Sequence, residues 1–258
     1  MTTAYDNTQA ANGEKIMRDY AKELKDRVEF IKGMLKSSGC SGVVYGNSGG
    51  KDSALVGILC KKATDNVLGV IMPCQSKQNF GSDMSDALKV AEKFCIETVT
   101  VDISNVKSEI CGAIEKVGKI TDAAGVNIAP RLRMTTLYAI AQSRGALVAG
   151  TGNRSEGYMG YFTKWGDGAY DFNPIADLTV TEIYEFLRFL DAPSEIIEKA
   201  PSAGLYDGQT DEQDMGISYA AIDKYILTGE GKPEEIEKIE AAHKRSLHKL
   251  NPSAKYGG

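Results

Sequence analysis

Apolar positions set the architecture before any chemistry is visible. Ile16, Tyr20, Leu24, Val28, Ile31 and Leu35 recur at three- and four-residue intervals, forming one stripe of an amphipathic helix that Gly39 stops. Residues 1–40 are therefore expected as an N-terminal helical segment. A short apolar run, Gly42–Tyr45, then enters a glycine-rich turn at Gly46–Ser53, and a helix pattern follows through Ala54, Leu55, Ile58 and Leu59. The theme repeats. Strands are predicted at Val67–Met72, Glu97–Val101 and Gly145–Gly150, with helices at Ser82–Phe94, near Asn105–Lys119, and from Pro130 in a first turn to Arg144. Such alternation implies right-handed crossovers and a parallel sheet, so the expected fold is a doubly wound α/β domain with helices on both faces.

From Thr151 to Gln213 glycine, aspartate and proline rise and periodicity weakens. One helix is predicted there, opened by the capping box Thr179-x-x-Glu182. Loops this long are usually functional, and residues 202–214 are read as a mobile loop. Helix returns with Pro233 and ends in the basic stretch at 243–249. All 258 residues are read as one domain.

Charge and composition narrow the function. Thirty Lys and Arg against 35 Asp and Glu leave a net charge of −5, which argues against a general nucleic-acid binder. No stretch approaches the roughly 20 apolar residues needed to span a bilayer, and the first residues carry no secretory pattern. Five widely spaced cysteines without a C-x-x-C pair read as free thiols of a cytoplasmic protein.

The strongest chemical signal is Gly46-Asn47-Ser48-Gly49-Gly50-Lys51-Asp52-Ser53, between a strand and a helix. Small residues let backbone amides converge at a helix N-terminus, an anion cradle to which Ser48 and Ser53 add hydroxyls. Asp52 would repel phosphate unless it holds a bridging metal ion. Walker A does not fit, because Tyr45 replaces its first glycine and Asp52 its hydroxyl residue.

The string Ser48–Ser53 resembles the pyrophosphate-binding loop of the adenylating ATP pyrophosphatase superfamily, which implies an adenine nucleotide alpha hydrolase-like fold. Further motifs in the same order extend the likeness: Val148–Glu156, Gly160–Gly168, Asp171–Ile175, Lys199–Leu205 and Gly208–Glu212. Together they are similar to ammonia-dependent NAD synthetase from about Val43 to the C-terminus. That resemblance implies a ligase forming a C–N bond, using ATP as co-substrate and Mg²⁺ as cofactor, with deamido-NAD and ammonia as its other partners, and a homodimer. It assigns Mg²⁺ to Asp52 and Glu156; ATP to Gly46–Ser53, Thr151 and Ser202; and deamido-NAD to Arg131, Lys164, Asp171 and the pair His248-Lys249, with His243-Lys244 the other possible pair.

Asp52, Asp171 and Lys164 are the expected catalytic groups, Asp171 holding ammonium and taking its proton. A lid is expected around Tyr206–Gln213. Two positions depart from the family: Val180 stands where it carries an ATP-contacting lysine, with Arg154 or Lys51 as substitutes, and Pro130 replaces a small residue. The alternatives are another adenylating enzyme, amidating or tRNA-modifying, and an ATP-binding sensor without catalysis.

Overall fold

A computed structural model describes residues 18–199, 201–202, 210–253 and 255–256. Helix α1 (Tyr20–Ser38) starts at an Asp19 cap, whose carboxylate accepts from the amides of Ala21 and Lys22, and ends where Gly39 turns left-handed. Strand β1 (Gly42–Gly46) leads through the glycine turn into α2 (Lys51–Ala63). β2 (Val67–Ile71), a kinked turn at Asn79–Asp83, α3 (Met84–Lys93) and β3 (Glu97–Thr100) follow. The chain then forms α4 (Ser104–Glu115), α5 (Asp122–Val126), α6 (Ile128–Arg144) and β4 (Ala146–Ala149).

The strands are all parallel in the order β3-β2-β1-β4, so the doubly wound expectation holds. Alternate side chains feed opposite faces. Val43 and Tyr45 join Leu55, Ile58 and Leu59 of α2 and Ile31 of α1, whereas Val44, Leu68 and Val70 meet Ala129 and Ala141 of α6. The strand order reverses between β1 and β4, and ligands bind open sheets of this kind at the carboxyl ends flanking such a switch point.

The second half contains more helix than its pattern signals: α7 (Arg154–Met159), α8 (Val180–Phe189), α9 (Ser194–Glu198), α10 (Asp211–Met215), α11 (Tyr219–Thr228) and α12 (Pro233–Leu250). The capping box read from Thr179 and Glu182 is formed in both directions. An identical device, Asn153 with Glu156, opens α7. Both α8 and α9 complete the core beneath α2 through Ile183, Phe186, Leu187 and Ile196. A separate apolar cluster joins Met159, Val180, Tyr219, Ile222 and Ile239 and fixes α7, α11 and α12 to one another.

Of the segment read as a mobile loop, residues 203–209 lie outside the described residues, among them 206–209, half of the expected lid. Asp211–Met215 are helical, with Asp211 buried and accepting from the Tyr219 hydroxyl at 3.0 Å. α1 packs on α2 within the same chain. Arg27 anchors it from a buried position, donating to Asp177 and Glu23 and to the carbonyl of Pro174.

Candidate functional site

A cavity of about 500 Å³ opens at the carboxyl ends of β1, β2 and β4. One end of it is the turn at Gly46–Ser53. Gly49 sits at φ +74°, and a Cβ there would lie 2.1 Å from the carbonyl oxygen of Asp83, so only glycine fits. The buried Asn47 side chain donates to Ala87 and fixes the turn from below. Ser48 Oγ, 3.1 Å from Ser53 Oγ, accepts from the Gly50 amide. The helix that begins at Lys51 aims its positive end at the same space.

Asp52 comes from the first turn of α2, Glu156 from α7 just beyond β4. Their meeting is built by Asn153: its Nδ2 donates to Asp52 Oδ1 at 3.1 Å, its Oδ1 accepts from the Glu156 amide, and its own amide donates to Glu156 Oε2. Burial and the neighbouring Asp52 charge push the Glu156 carboxyl well above its ordinary pKa. Two hard carboxylates forced together in this way suit Mg²⁺. Among the described residues no group of three or more His, Cys, Asp or Glu converges, so Asp52 and Glu156 are the protein carboxylates that would hold it.

Lys51 supplies the nearest positive charge. Its Nζ donates to Asp52 Oδ2 at 2.8 Å and lies 5.5 Å from the centre of the Tyr219 ring. The Asp52 and Glu156 charges raise its pKa despite burial. Lys199, which the sequence reading did not single out, also lines the cavity and pins α3 by donating to Asp83 and Asp86 at 2.8 Å each. Thr151 and Ser202, which the resemblance assigns to ATP, line the same space.

Val180 does not reach the cavity; it is buried in the apolar cluster with Tyr219. Of the two proposed substitutes, Lys51 lines the cavity and Arg154 does not. Pro130 fits without strain three residues into α6 and forms part of the wall.

The other end of the cavity brings together Arg133, Asp167 and Lys249. Gly160 is at φ +66°, and a Cβ there would sit 1.9 Å from Ser246 Oγ, so α12 docks tightly on the end of α7. This seats Lys249, whose Nζ donates to the carbonyls of Gly160 and Phe162 at 2.8 Å. Asp167 is exposed to the cavity and accepts from the Thr163 amide at 3.0 Å, and desolvation by the surrounding wall raises its pKa against the pull of Arg133 and Lys249. Arg133 donates to the Met72 carbonyl and to Asn79, and desolvation lowers its pKa.

Arg131, Lys164 and His248 do not line the cavity but chain together beside it. Arg131 donates to the Lys164 carbonyl at 3.3 Å, and Lys164 Nζ to the His248 carbonyl at 2.6 Å. The two histidine pairs are geometrically distinct. His243 stacks on Tyr158 with ring centres 4.2 Å apart and hydrogen-bonds its carbonyl, a packing role, whereas Lys249 of the other pair lines the cavity.

Asp171 also lies off the cavity lining: its Oδ2 accepts from the Val148 amide at 2.7 Å and its Oδ1 from the Tyr138 hydroxyl. Of these two acids it is Asp167, four residues earlier in the Gly160–Gly168 motif and without an assigned role there, that lines the cavity.

Comparisons with known proteins converge. The profile of the NAD synthase family matches residues 23–255. The NH(3)-dependent NAD(+) synthetase of Carboxydothermus hydrogenoformans is 42% identical over 234 residues, covering 90% of this chain and 95% of that protein. Among solved structures, NMN synthetase from Francisella tularensis superposes with a TM-score of 0.88 at 34% identity, covering 93% of this chain and all of that one. An NH3-dependent NAD synthetase from Campylobacter jejuni gives 0.75 at 30%, over 92% and 99%.

Proposed function

The chain belongs to the NAD synthase family, and from that premise we propose that it amidates the nicotinate carboxylate of deamido-NAD with free ammonia, cleaving ATP to AMP and pyrophosphate. One observation carries the reading. A single cavity holds the phosphate cradle and the Asp52–Glu156 pair at one end and Asp167 with Lys249 and Arg133 at the other.

A carboxylate is a poor electrophile, so its oxygen first attacks the α-phosphorus of ATP, and pyrophosphate departs. The amides of the Ser48–Gly50 turn and the hydroxyls of Ser48 and Ser53 are placed to receive that departing charge. Lys51 and Lys199 add cations at the same end, and Thr151 and Ser202 face the nucleotide. Asp52 and Glu156 would hold Mg²⁺, which when bound neutralises charge on the phosphates.

Ammonia then attacks the activated carbonyl carbon, and AMP leaves with the original carboxylate oxygen. The nitrogen arrives mostly as ammonium and must lose protons. We assign its binding to Asp167 rather than Asp171, because Asp167 faces the cavity while both Asp171 oxygens already accept from Val148 and Tyr138. Lys249 lies beside this point. Arg131, Lys164 and His248, ranged along the cavity's flank, would take the more distant anionic part of the substrate.

A second reading has a specific observation behind it. The close superposition on NMN synthetase favours a mononucleotide carboxylate as substrate at the same site, through the same chemistry. The test is a product assay with ATP, Mg²⁺ and ammonium, offering deamido-NAD and nicotinate mononucleotide separately and together. Equal NAD and AMP from the dinucleotide, lost in Asp52→Asn, supports the first reading. Preferential amidation of the mononucleotide replaces it with the second, and ATP binding without either product leaves a nucleotide sensor.

Cytoplasmic residence is part of the proposal, supported by five unpaired cysteines. So is a homodimer. α4 buries none of its residues, and Val106 and Ile114 are 49% and 44% exposed on it. The adjoining α6 buries only Ala129, Pro130 and Ala141, so together they offer a face for a second copy.

A further inference from the structure

Asp52 has no free oxygen. Its Oδ1 is taken by Asn153 Nδ2 at 3.1 Å and its Oδ2 by Lys51 Nζ at 2.8 Å. The second bond is not a product of helix geometry, because adjacent residues of a helix point about 100° apart and do not face each other. Lys51 must fold its stem back to reach its neighbour, and it does so almost wholly enclosed: its side chain is 5% exposed, with the Tyr219 ring beneath the ammonium. Tyr219 is itself held by Asp211. The ammonium therefore occupies Asp52 from within the protein, with the Glu156 charge close enough to be felt, at the place where a divalent cation would have to enter.

We propose that Lys51 is an internal counter-ion: it neutralises Asp52 beside Glu156 in the nucleotide-free protein and passes to the triphosphate when ATP arrives, so that the divalent metal binds tightly only together with nucleotide. The inference rests on the reading of this cavity as an ATP site. The ammonium has competing partners. A metal ion approaching alone meets two carboxylates already partly neutralised and an ammonium of its own sign. ATP brings several negative charges to the turn that Lys51 opens, and these offer the ammonium another partner within reach of its four-carbon stem. Once it moves, both carboxylates are available. Empty-site binding of metal is thereby suppressed, and metal and nucleotide become coupled ligands, each strengthening the other by the same factor.

The test uses the full chain and Mn²⁺ as a spectroscopic substitute for Mg²⁺, with free Mn²⁺ measured by electron paramagnetic resonance in the absence of any substrate. Lys51→Met is expected to bind Mn²⁺ alone at least ten-fold more tightly than the unmodified protein. It should bind ATP, without metal, at least ten-fold more weakly, as read by calorimetry. Lys51→Gln, a polar alternative should the methionine variant fold poorly, is expected to behave in the same direction. Lys51→Arg retains the charge and should leave nucleotide-free Mn²⁺ binding within about three-fold of the original, thermal melting confirming the fold of each.

Unchanged or weaker Mn²⁺ binding in both neutral variants overturns the counter-ion. Tighter Mn²⁺ binding with unchanged ATP affinity overturns the transfer to the triphosphate. Neither readout requires turnover, so a failure of the amidation assay and a failure of this inference are separate results.

Discussion

Replacing Gly49 by alanine separates what the phosphate turn needs from what it merely contains. At φ +74° an alanine pays the left-handed penalty of about 1–2 kcal/mol. Its Cβ would also sit 2.1 Å from the Asp83 carbonyl oxygen and 3.2 Å from the Ala87 amide nitrogen, both backbone atoms that cannot rotate away. Relief requires the turn and α3 to part by about 1 Å, and overpacking of this kind costs about 1–3 kcal/mol more. The expected loss is about 2–5 kcal/mol of unfolding free energy, read from urea titrations followed by circular dichroism.

Because displacing a phosphate cradle by about 1 Å disturbs alignment at the α-phosphorus, turnover should also fall on the order of 10²-fold. Gly50 is the internal control. It is extended, at φ −94°, and a Cβ there meets only Ser48 Oγ at 3.4 Å, an ordinary contact. Gly50→Ala should therefore lose less than about 1 kcal/mol of stability. Equal stability losses in the two variants, or an unchanged Gly49→Ala, would refute the packing argument.

Asp167→Asn should raise the ammonium KM at least ten-fold with little change in the KM for ATP, whereas Asp171→Asn should leave the ammonium KM nearly unchanged; steady-state titration of each substrate decides, and the opposite pattern returns the role to Asp171. The raised Asp167 pKa also fixes a sign: the folded protein binds this proton more tightly than the unfolded chain, so the group's contribution to stability falls as pH rises from the ordinary carboxylate value through the higher folded value. Asp167→Asn should accordingly be more stable than the original at pH 7, the difference vanishing in acid below both values, as thermal melts at several pH values would reveal. Val106→Asp with Ile114→Asp should convert a dimer to monomer in light scattering, and a dimer that survives both places the interface elsewhere.

Most of the frame was legible because local rules and tertiary packing agree. Gly39 stops α1 and Thr179 with Glu182 caps α8, as their side-chain chemistry requires. Pro130 is accommodated in the first turn of α6 for the same kind of reason. The glycine turn announced itself because its small residues have one purpose.

The short helix α7 was missed, although Asn153-x-x-Glu156 is a capping pattern of the type recognised at Thr179, because its six residues are too few for apolar periodicity. The site was legible where it is contiguous in sequence and obscure where it is assembled. Asp52 and Glu156 meet only through Asn153, and Lys199 reaches Asp83 and Asp86 across more than a hundred residues. Asp167 and Asp171 are equivalent acids in the string. What separates them is that Asp171 turns to the β4 backbone, while Asp167 turns to the cavity.

The account's central claim, that the carboxylate is activated at the α-phosphorus, is tested most directly by isotope transfer. Deamido-NAD carrying ¹⁸O in both oxygens of the nicotinate carboxylate would be turned over with unlabelled ATP, Mg²⁺ and ammonium, and the products resolved by mass spectrometry. One ¹⁸O per turnover in AMP, with none in pyrophosphate, is the predicted result. Label in inorganic phosphate accompanied by ADP would contradict it, since the carboxylate would then have been activated at the γ-phosphorus instead.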